Sequence, residues 1–468
     1  MMLIGGIAWF RTRNLADYLL GGRKLSASVA ALSAGASDMS GWLLLGLPGA
    51  VYVSGLREAW IVVGLIIGAW LNWQFVARRL RAETQKYEAL TLPDYFEQRF
   101  SDGSRVLRLI SALIILIFFT FYVSSGLVAG AKLFSATFGF SYQTALFAGG
   151  LVIVAYTAVG GFLAVSWTDV VQGLLMLCAL VAVPYVMIST LGGVDQTITQ
   201  LQYNYPAYLV FWDGVAGLTI VSLMAWGLGY CGQPHILARF MAIHSPGAVS
   251  RAKWIGMSWM SVATVSAVAV GLVGVVFVGG AIPQAESEKI FIRLTQMIFD
   301  PWVAGVLLAA ILAAIMSTVD SQLLVSSSAL SQDFYKAWIH RDATHRQLMV
   351  VGRITVLLIA VVALFIASDP ENQVLGLVSY AWAGLGASFG PVVLFALYSH
   401  KATRLGAILG MLVGAATVIV WSQLTGGIFD VYELLPAFLF NGLTIWLVSW
   451  IGNLFTRSQD SVVILSID

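Results

Sequence analysis

The chain has 468 residues, of which 59% are hydrophobic and 10% charged, with a formal net charge of +2. An average soluble domain is about one quarter charged, so this composition excludes a water-facing surface around one large core. The overall charge says nothing about partners, no run of basic residues interleaved with aromatics suggests nucleic acid, and no CxxC, HExxH or P-loop pattern offers a redox, zinc or nucleotide site.

The apolar residues fall into runs of roughly twenty, the length that crosses about 30 Å of hydrocarbon as helix. Met1–Phe10 is apolar but short, and Arg11 and Arg13 follow it as they would follow a span. No small-residue cleavage site succeeds it, so it reads as the end of a leading helix rather than a signal peptide. Residues 1–24 are then a partial leading helix and loop, with the start of that helix upstream of the sequence. Twelve spans are predicted next, near 25–55, 57–77, 107–131, 143–160, 164–191, 209–238, 254–281, 302–332, 349–367, 372–399, 405–424 and 432–455. If the loop holding Arg23 and Lys24 is cytoplasmic, alternate connections collect 21 of the 25 Lys and Arg, leaving Arg57, Lys132, Lys289 and Arg293 outside. The positive-inside rule then fixes the orientation and places the far C-terminus in the cytoplasm. Cys178 and Cys231 lie within spans, where a structural disulfide is not expected.

The long polar connection Arg78–Arg108 holds a short amphipathic helix opened by Pro93. The outer segment Glu286–Phe299 alternates charged and apolar residues and is expected to lie on the membrane surface as a helix. The first span is interrupted at mid-membrane by Ser33-Ala-Gly-Ala-Ser-Asp-Met-Ser-Gly-Trp42, and the sixth by Trp226-Gly-Leu-Gly-Tyr-Cys-Gly-Gln-Pro234. If spans one to five and six to ten are two repeats (25–191 and 192–399, followed by two further helices and a tail in 400–468), the breaks occupy corresponding positions. An odd number of helices per repeat inverts the second. Paired broken helices of this kind point to the binding site of a secondary transporter.

A carboxylate at the centre of a span costs about 3 kcal/mol on insertion scales, so Asp38 needs compensation. Either it is a structural acid bonded to a basic or hydroxyl neighbour, or it stands beside a cation point where unwound backbone frees carbonyls such as those of Ala36 and Met39. Hard cations take oxygen ligands. In span eight, Ala314, Ser317 and Thr318 share one helical face; this face offers hydroxyl oxygens, though small residues also serve plain helix packing. Asp320 lies off the centre of that face and is assigned either to helix structure or to an inner gate. Asp169 is a second ion site, a gate or a cap at the inner end of span five. No histidine chain crosses the membrane, which favours sodium over protons. The opened helices supply backbone donors for a carboxylate, and Trp42, Tyr122, Trp226 and Tyr230 could wall a compact zwitterion.

The strings A-L-S-A-G-A-S-D-M-S-G-W-L-L-L-G-L-P-G-A (31–50), L-T-L-P-D-Y-F (90–96), G-G-F-L-A-V-S-W-T-D (160–169), W-G-L-G-Y-C-G-Q-P-H-I-L-A-R-F-M-A (226–242), A-A-I-M-S-T (313–318) and L-G-L-V-S-Y-A-W-A-G-L-G-A-S-F-G-P-V-V-L-F (375–395) closely resemble the sodium/solute symporter family, in its proline-carrying branch. The resemblance spans nearly the whole chain. It implies an all-α polytopic membrane protein with a LeuT-like five-plus-five inverted-repeat core, preceded by one helix, in the bacterial inner membrane. It implies a symporter, not an enzyme, that imports L-proline with Na+ as the co-transported ion by alternating access. By matching positions it implies a sodium site at Ala36, Met39, Ala314, Ser317 and Thr318 with Asp38 as organiser. Ser40, Gly41 and Trp42 are placed near both ligands, Tyr122, Trp226, Tyr230 and Pro234 around the solute, and Arg23 near the inner mouth. Asp169 and Asp320 are grouped with Arg23 in gating or coupling. The chain departs from the family pattern in its shortened leading helix and in the tail Ser458–Asp468. Another small solute (pantothenate, a sugar or a different amino acid) and a transporter-like sensor are the alternative functions.

Overall fold

The computed structural model describes residues 15–157, 161–280 and 282–465, so the leading-helix expectation lies outside the described residues. Among the described residues the regular elements are helical, and nine continuous helical stretches are long and apolar enough to cross a membrane. The other three expected spans are the two broken ones and the fourth, for which 16 helical residues are described.

Helix α1 (Leu15–Leu20) enters a turn in which Gly21, Gly22 and Arg23 all take left-handed φ of 57°, 61° and 56°. The first span then opens with α2 (Ala27–Asp38), where the Ser26 hydroxyl accepts from the Val29 amide and closes one orphan donor of the helix start. It breaks at Met39 (φ −85°, ψ 74°) and resumes as a π-helical turn, Trp42–Gly46, and α3 (Leu47–Ser54). The second span, α4 (Ala59–Leu71), continues without interruption through the π-helical Asn72–Ala77 into α5 (Arg78–Lys86). Pro93 lies in the first turn of the loop helix α6 (Leu92–Arg99), capped by the Thr91 hydroxyl. Spans three to five are α7 (Val106–Phe138), α8 (Tyr142–Thr157) and α9 (Phe162–Thr190).

A connecting helix, α10 (Val194–Asn204), precedes the sixth span and was not expected from the sequence. That span starts later than expected, as α11 (Gly217–Met224), tightens into a 3₁₀ stretch at Ala225–Gly232, opens at Gln233 and continues as α12 (Pro234–Ala242). Then come α13 (Val249–Val278), α14 (Ile290–Ile298), α15 (Pro301–Ser328) with a π-helical extension Ala329–Ile339, α16 (His345–Ala367), α17 (Val374–Tyr398), α18 (Arg404–Trp421) and α19 (Leu434–Leu465).

Helix α2 packs against α9, α12, α13 and α15, so the first break is enclosed by protein, not lipid. The 3₁₀ stretch of the sixth span lies between α4 and α17. Glycine makes that approach possible: a Cβ on Gly227 would stand 2.1 Å from the Gly64 carbonyl oxygen, and one on Gly229 would stand 2.0 Å from the Trp382 indole nitrogen. Small residues that let helix backbones touch are the usual packing device in membranes.

The short helix expected over Glu286–Phe299 is present as α14, and its apolar face is covered by protein. Ile290, Phe291, Ile292 and Leu294 of α14 are buried, against α13 and α15, and the preceding turn is fixed by Glu288. One Glu288 oxygen accepts from Lys132 Nζ at 2.5 Å and from the Val374 amide at 3.0 Å, and the other from the Leu375 amide at 3.0 Å. Lys132, counted as an outer-loop cation from the sequence, is accordingly buried.

Candidate functional site

The break after α2 leaves carbonyls that an uninterrupted helix would have used. The Ala36 carbonyl is met from α15 by two hydroxyls, Ser317 Oγ at 2.8 Å and Thr318 Oγ1 at 3.4 Å. Ser317 Oγ also lies 3.0 Å from the Ala314 carbonyl one turn earlier. Ala36, Met39, Ala314, Ser317 and Thr318 are all buried. The spacing of Ala314, Ser317 and Thr318 on one face thus brings three oxygen-bearing residues to the broken helix.

Asp38 faces the other way. Its Oδ2 accepts from the Tyr230 hydroxyl at 2.6 Å, while its backbone oxygen accepts from the Tyr122 hydroxyl and the Trp42 indole N–H, both at 3.2 Å. Its Oδ1 is buried without a hydrogen-bond partner, and Asp38 is one of the residues around a cavity of about 20 Å³, room for about one water, that Met39, Asn72, Tyr230 and Met260 also line. One acid thereby gathers residues from the first, third and sixth spans.

The second break is held by scaffold side chains that sequence reasoning missed. The Trp382 indole donates to the Trp226 carbonyl at 2.8 Å, Asn72 Nδ2 donates to the Tyr230 carbonyl at 3.0 Å, and Gln233 Nε2 donates to the Trp382 carbonyl at 3.1 Å. Carbonyls freed by unwinding need such donors in a membrane interior. Around the two breaks, Trp42 and Trp226 lie with ring centroids 6.0 Å apart, Trp226 stacks on Tyr432 at 5.3 Å, and Tyr230 meets Trp382 edge-on at 5.1 Å. Ser40, Gly41, Trp42, Tyr122, Trp226 and Tyr230 are therefore brought together with Asp38. Pro234 stands apart from them, bordering a narrow cavity that Phe162, Ile115, Thr91 and Asp333 also line.

Asp169 and Arg23 occupy neither centre. Asp169 sits well inside α9, which begins at Phe162 behind the N-cap Gly161, so the capping alternative is excluded. It forms a wholly buried ion pair with Arg239 of α12 at 3.2 Å and accepts from Ser33 Oγ at 2.6 Å. Arg239 also donates to the hydroxyls of Ser33 and Ser321 and to the His235 carbonyl. Ser321 in turn donates to the Ser317 carbonyl at 2.8 Å, which links this network to the hydroxyl face of α15. Arg23 donates to the carbonyls of Thr84, Ala89 and Met241 at 2.6 to 3.0 Å, tying the turn before α2 to the ends of α5 and α12. Burial, with Arg81 nearby, pulls its guanidinium down to about 10, still charged at neutral pH. Asp320 is buried two residues beyond Thr318.

Comparison with known proteins places this geometry. The model of the sodium:solute symporter family matches residues 18–414. The sodium/proline symporter of Salmonella typhimurium is 54% identical over 466 residues, covering 98% of this chain and 92% of that protein. The sodium/proline symporter of Escherichia coli is 53% identical over 460 residues, covering 97% and 91%. Among solved structures, a Na+-coupled sialic acid symporter in a substrate-bound, outward-open state superposes with a TM-score of 0.79 at 18% identity, covering 96% of this chain and 95% of its own. That likeness establishes the LeuT-like transporter fold, and with the length and identity of the sequence matches it leads to one assignment: the chain belongs to the sodium:solute symporter family.

Proposed function

We propose that this chain imports L-proline together with sodium by alternating access. The observation that carries the proposal is the meeting of the Ser317 and Thr318 hydroxyls with the Ala36 carbonyl at the first break, in a chain more than half identical to two bacterial sodium/proline symporters. Sodium is bound by oxygens of Ala36, Met39, Ala314, Ser317 and Thr318, the hydroxyls turning their protons away and presenting lone pairs. Asp38 organises the break through Tyr230 and contributes its negative charge to the cation's surroundings. Ser40 and Gly41 lie between the two ligands, and Trp42, Tyr122, Trp226 and Tyr230 wall the pyrrolidine ring. Pro234 marks the start of the inward path.

Arg23, Asp169 and Asp320 serve gating or coupling, Asp169 through the Arg239 and Ser321 network. The basic side faces the cytoplasm of a bacterial cell, with the C-terminus on that side, and the chain carries out no covalent chemistry. Entry of one sodium is favoured by about 2.3 kcal/mol for each 100 mV of inside-negative potential.

Purified protein in liposomes tests the proposal. An imposed inward sodium gradient is expected to drive accumulation of labelled proline that unlabelled proline, but not pantothenate or sugars, competes away. Thr318→Ala is expected to raise the sodium concentration needed for half-maximal uptake by about tenfold, as loss of one ligand-grade interaction implies. Accumulation indifferent to the sodium gradient would overturn the coupling.

A further inference from the structure

Helices α18 and α19 follow the ten spans of the five-plus-five core, yet the chain between them reaches the second break. Pro391 lacks the amide that the Ala387 carbonyl of α17 would otherwise accept from. Asn441 Nδ2 of α19 donates to that carbonyl instead, at 2.6 Å, and also lies 3.0 Å from the Ser388 carbonyl. Leu434, seven residues before Asn441 and so on the same face of α19, is buried beside Gly386, where a Cβ would stand 3.1 Å from its Cδ1. These contacts fix α19 along α17 and bring Tyr432 to the sixth span.

Tyr432 is held at both ends. Its amide donates to Ser222 Oγ of α11 at 2.8 Å, and its hydroxyl donates to the Ser379 carbonyl of α17 at 2.8 Å. Between those anchors its ring stacks on Trp226, with centroids 5.3 Å apart and planes 23° from parallel. Trp226 in turn lies 6.0 Å from Trp42, and its carbonyl is gripped by the Trp382 indole. Both Trp226 and Tyr432 are buried.

The bond from Trp382 fixes the backbone of Trp226 but leaves its side-chain torsions free. A ring stacked on the indole removes that freedom. Helix packing alone would be met by any apolar side chain at position 432, whereas a ring tied at its amide and at its hydroxyl holds one plane. We propose that Tyr432 is a positioning residue for cargo recognition. It sets the plane of the Trp226 indole that walls the cargo ring, and through it a helix pair outside the ten-span core shapes the cargo site. The inference rests on the proline transport argued above.

The test measures binding of labelled proline to the purified full chain in saturating sodium, beside sodium-driven uptake in liposomes. Tyr432→Leu is expected to raise the half-saturating proline by about fivefold, the worth of one aromatic pair. Tyr432→Phe keeps the ring and is expected to stay within about twofold of wild type. In both, the sodium needed for half-maximal uptake at saturating proline is expected to be unchanged, because no sodium ligand is touched. Where the leucine variant fails to fold, Tyr432→Met, whose flexible chain fills irregular space, carries the same expectation. Ser449, further along α19, accepts from the Thr403 amide at 3.0 Å; Ser449→Ala loosens the same helix pair away from Trp226 and is expected to leave proline binding as in wild type. Wild-type affinity in the leucine or methionine variant overturns the positioning role alone, and so does an equal loss in Tyr432→Phe or in Ser449→Ala. A wild-type chain that neither binds nor accumulates proline overturns the proposed function and this inference with it.

Discussion

At the scale of single residues, the Asp169–Arg239 pair is the largest departure from what the sequence offers. Two opposite charges buried completely are compensated only while both are present. Removing one leaves the other uncompensated, at a cost of about 3–5 kcal/mol, whereas replacing both with apolar residues of similar volume is often near neutral. Arg239→Met alone is therefore expected to lower the melting temperature of the detergent-solubilised protein markedly. Adding Asp169→Leu is expected to recover most of the loss, and strictly additive losses would refute the coupling. Arg239 was misplaced by the positive-inside count, which assigns every basic residue near a span end to a loop. Its apolar neighbours Phe240, Met241 and Ala242 were the overlooked signal, since an arginine flanked in this way needs an internal partner. Asp38 was legible because it was one acid in an apolar run. Its partner Tyr230 was not, because 192 positions separate them and only the fold joins them.

At the scale of elements, both breaks were readable, since clustered glycine, proline and hydroxyl residues at mid-span have few other uses. Their supports were not, because Asn72, Trp382 and the glycines of α4 look like ordinary span residues until two helices meet. Gly227→Ala would set a methyl group against the Gly64 backbone, which has no rotamer with which to yield. Such overpacking costs about 1–3 kcal/mol or more, and the variant is expected to melt earlier and give less folded protein. Gly217→Ala, whose new methyl meets nothing within 4 Å, serves as the control; equal melting of the two would contradict the close packing. The cover over the apolar face of Glu286–Phe299 was not legible, for a general reason. An amphipathic pattern reports that one face is apolar, not whether lipid or protein covers it.

At the scale of the whole molecule, the distribution of charge did most to fix the count and order of spans, because one missed helix would have reversed the sign of every later connection. The same asymmetry predicts sidedness. A cysteine introduced at Lys401 is expected to react with a membrane-impermeant maleimide only after cells are permeabilised, and one at Arg57 in intact cells. The opposite pattern would invert the orientation, and with it the direction of transport. The connecting helix α10 was illegible at this scale because its 11 residues are too short to register as a span and include no Lys or Arg to enter the count.

The two breaks differ in what holds their freed carbonyls. Those of Trp226 and Tyr230 are gripped by an indole and an amide of neighbouring helices, while that of Ala36 is met only by two small hydroxyls able to rotate. For an engineer, this separates the parts of the machine that can be retuned. On the proposed function, side chains of the second break can be exchanged to fit a different cargo while its frame stays fixed by Trp382 and Asn72. On the same reading the driving ion is held at the first, where removal of one hydroxyl is expected to weaken the use of sodium.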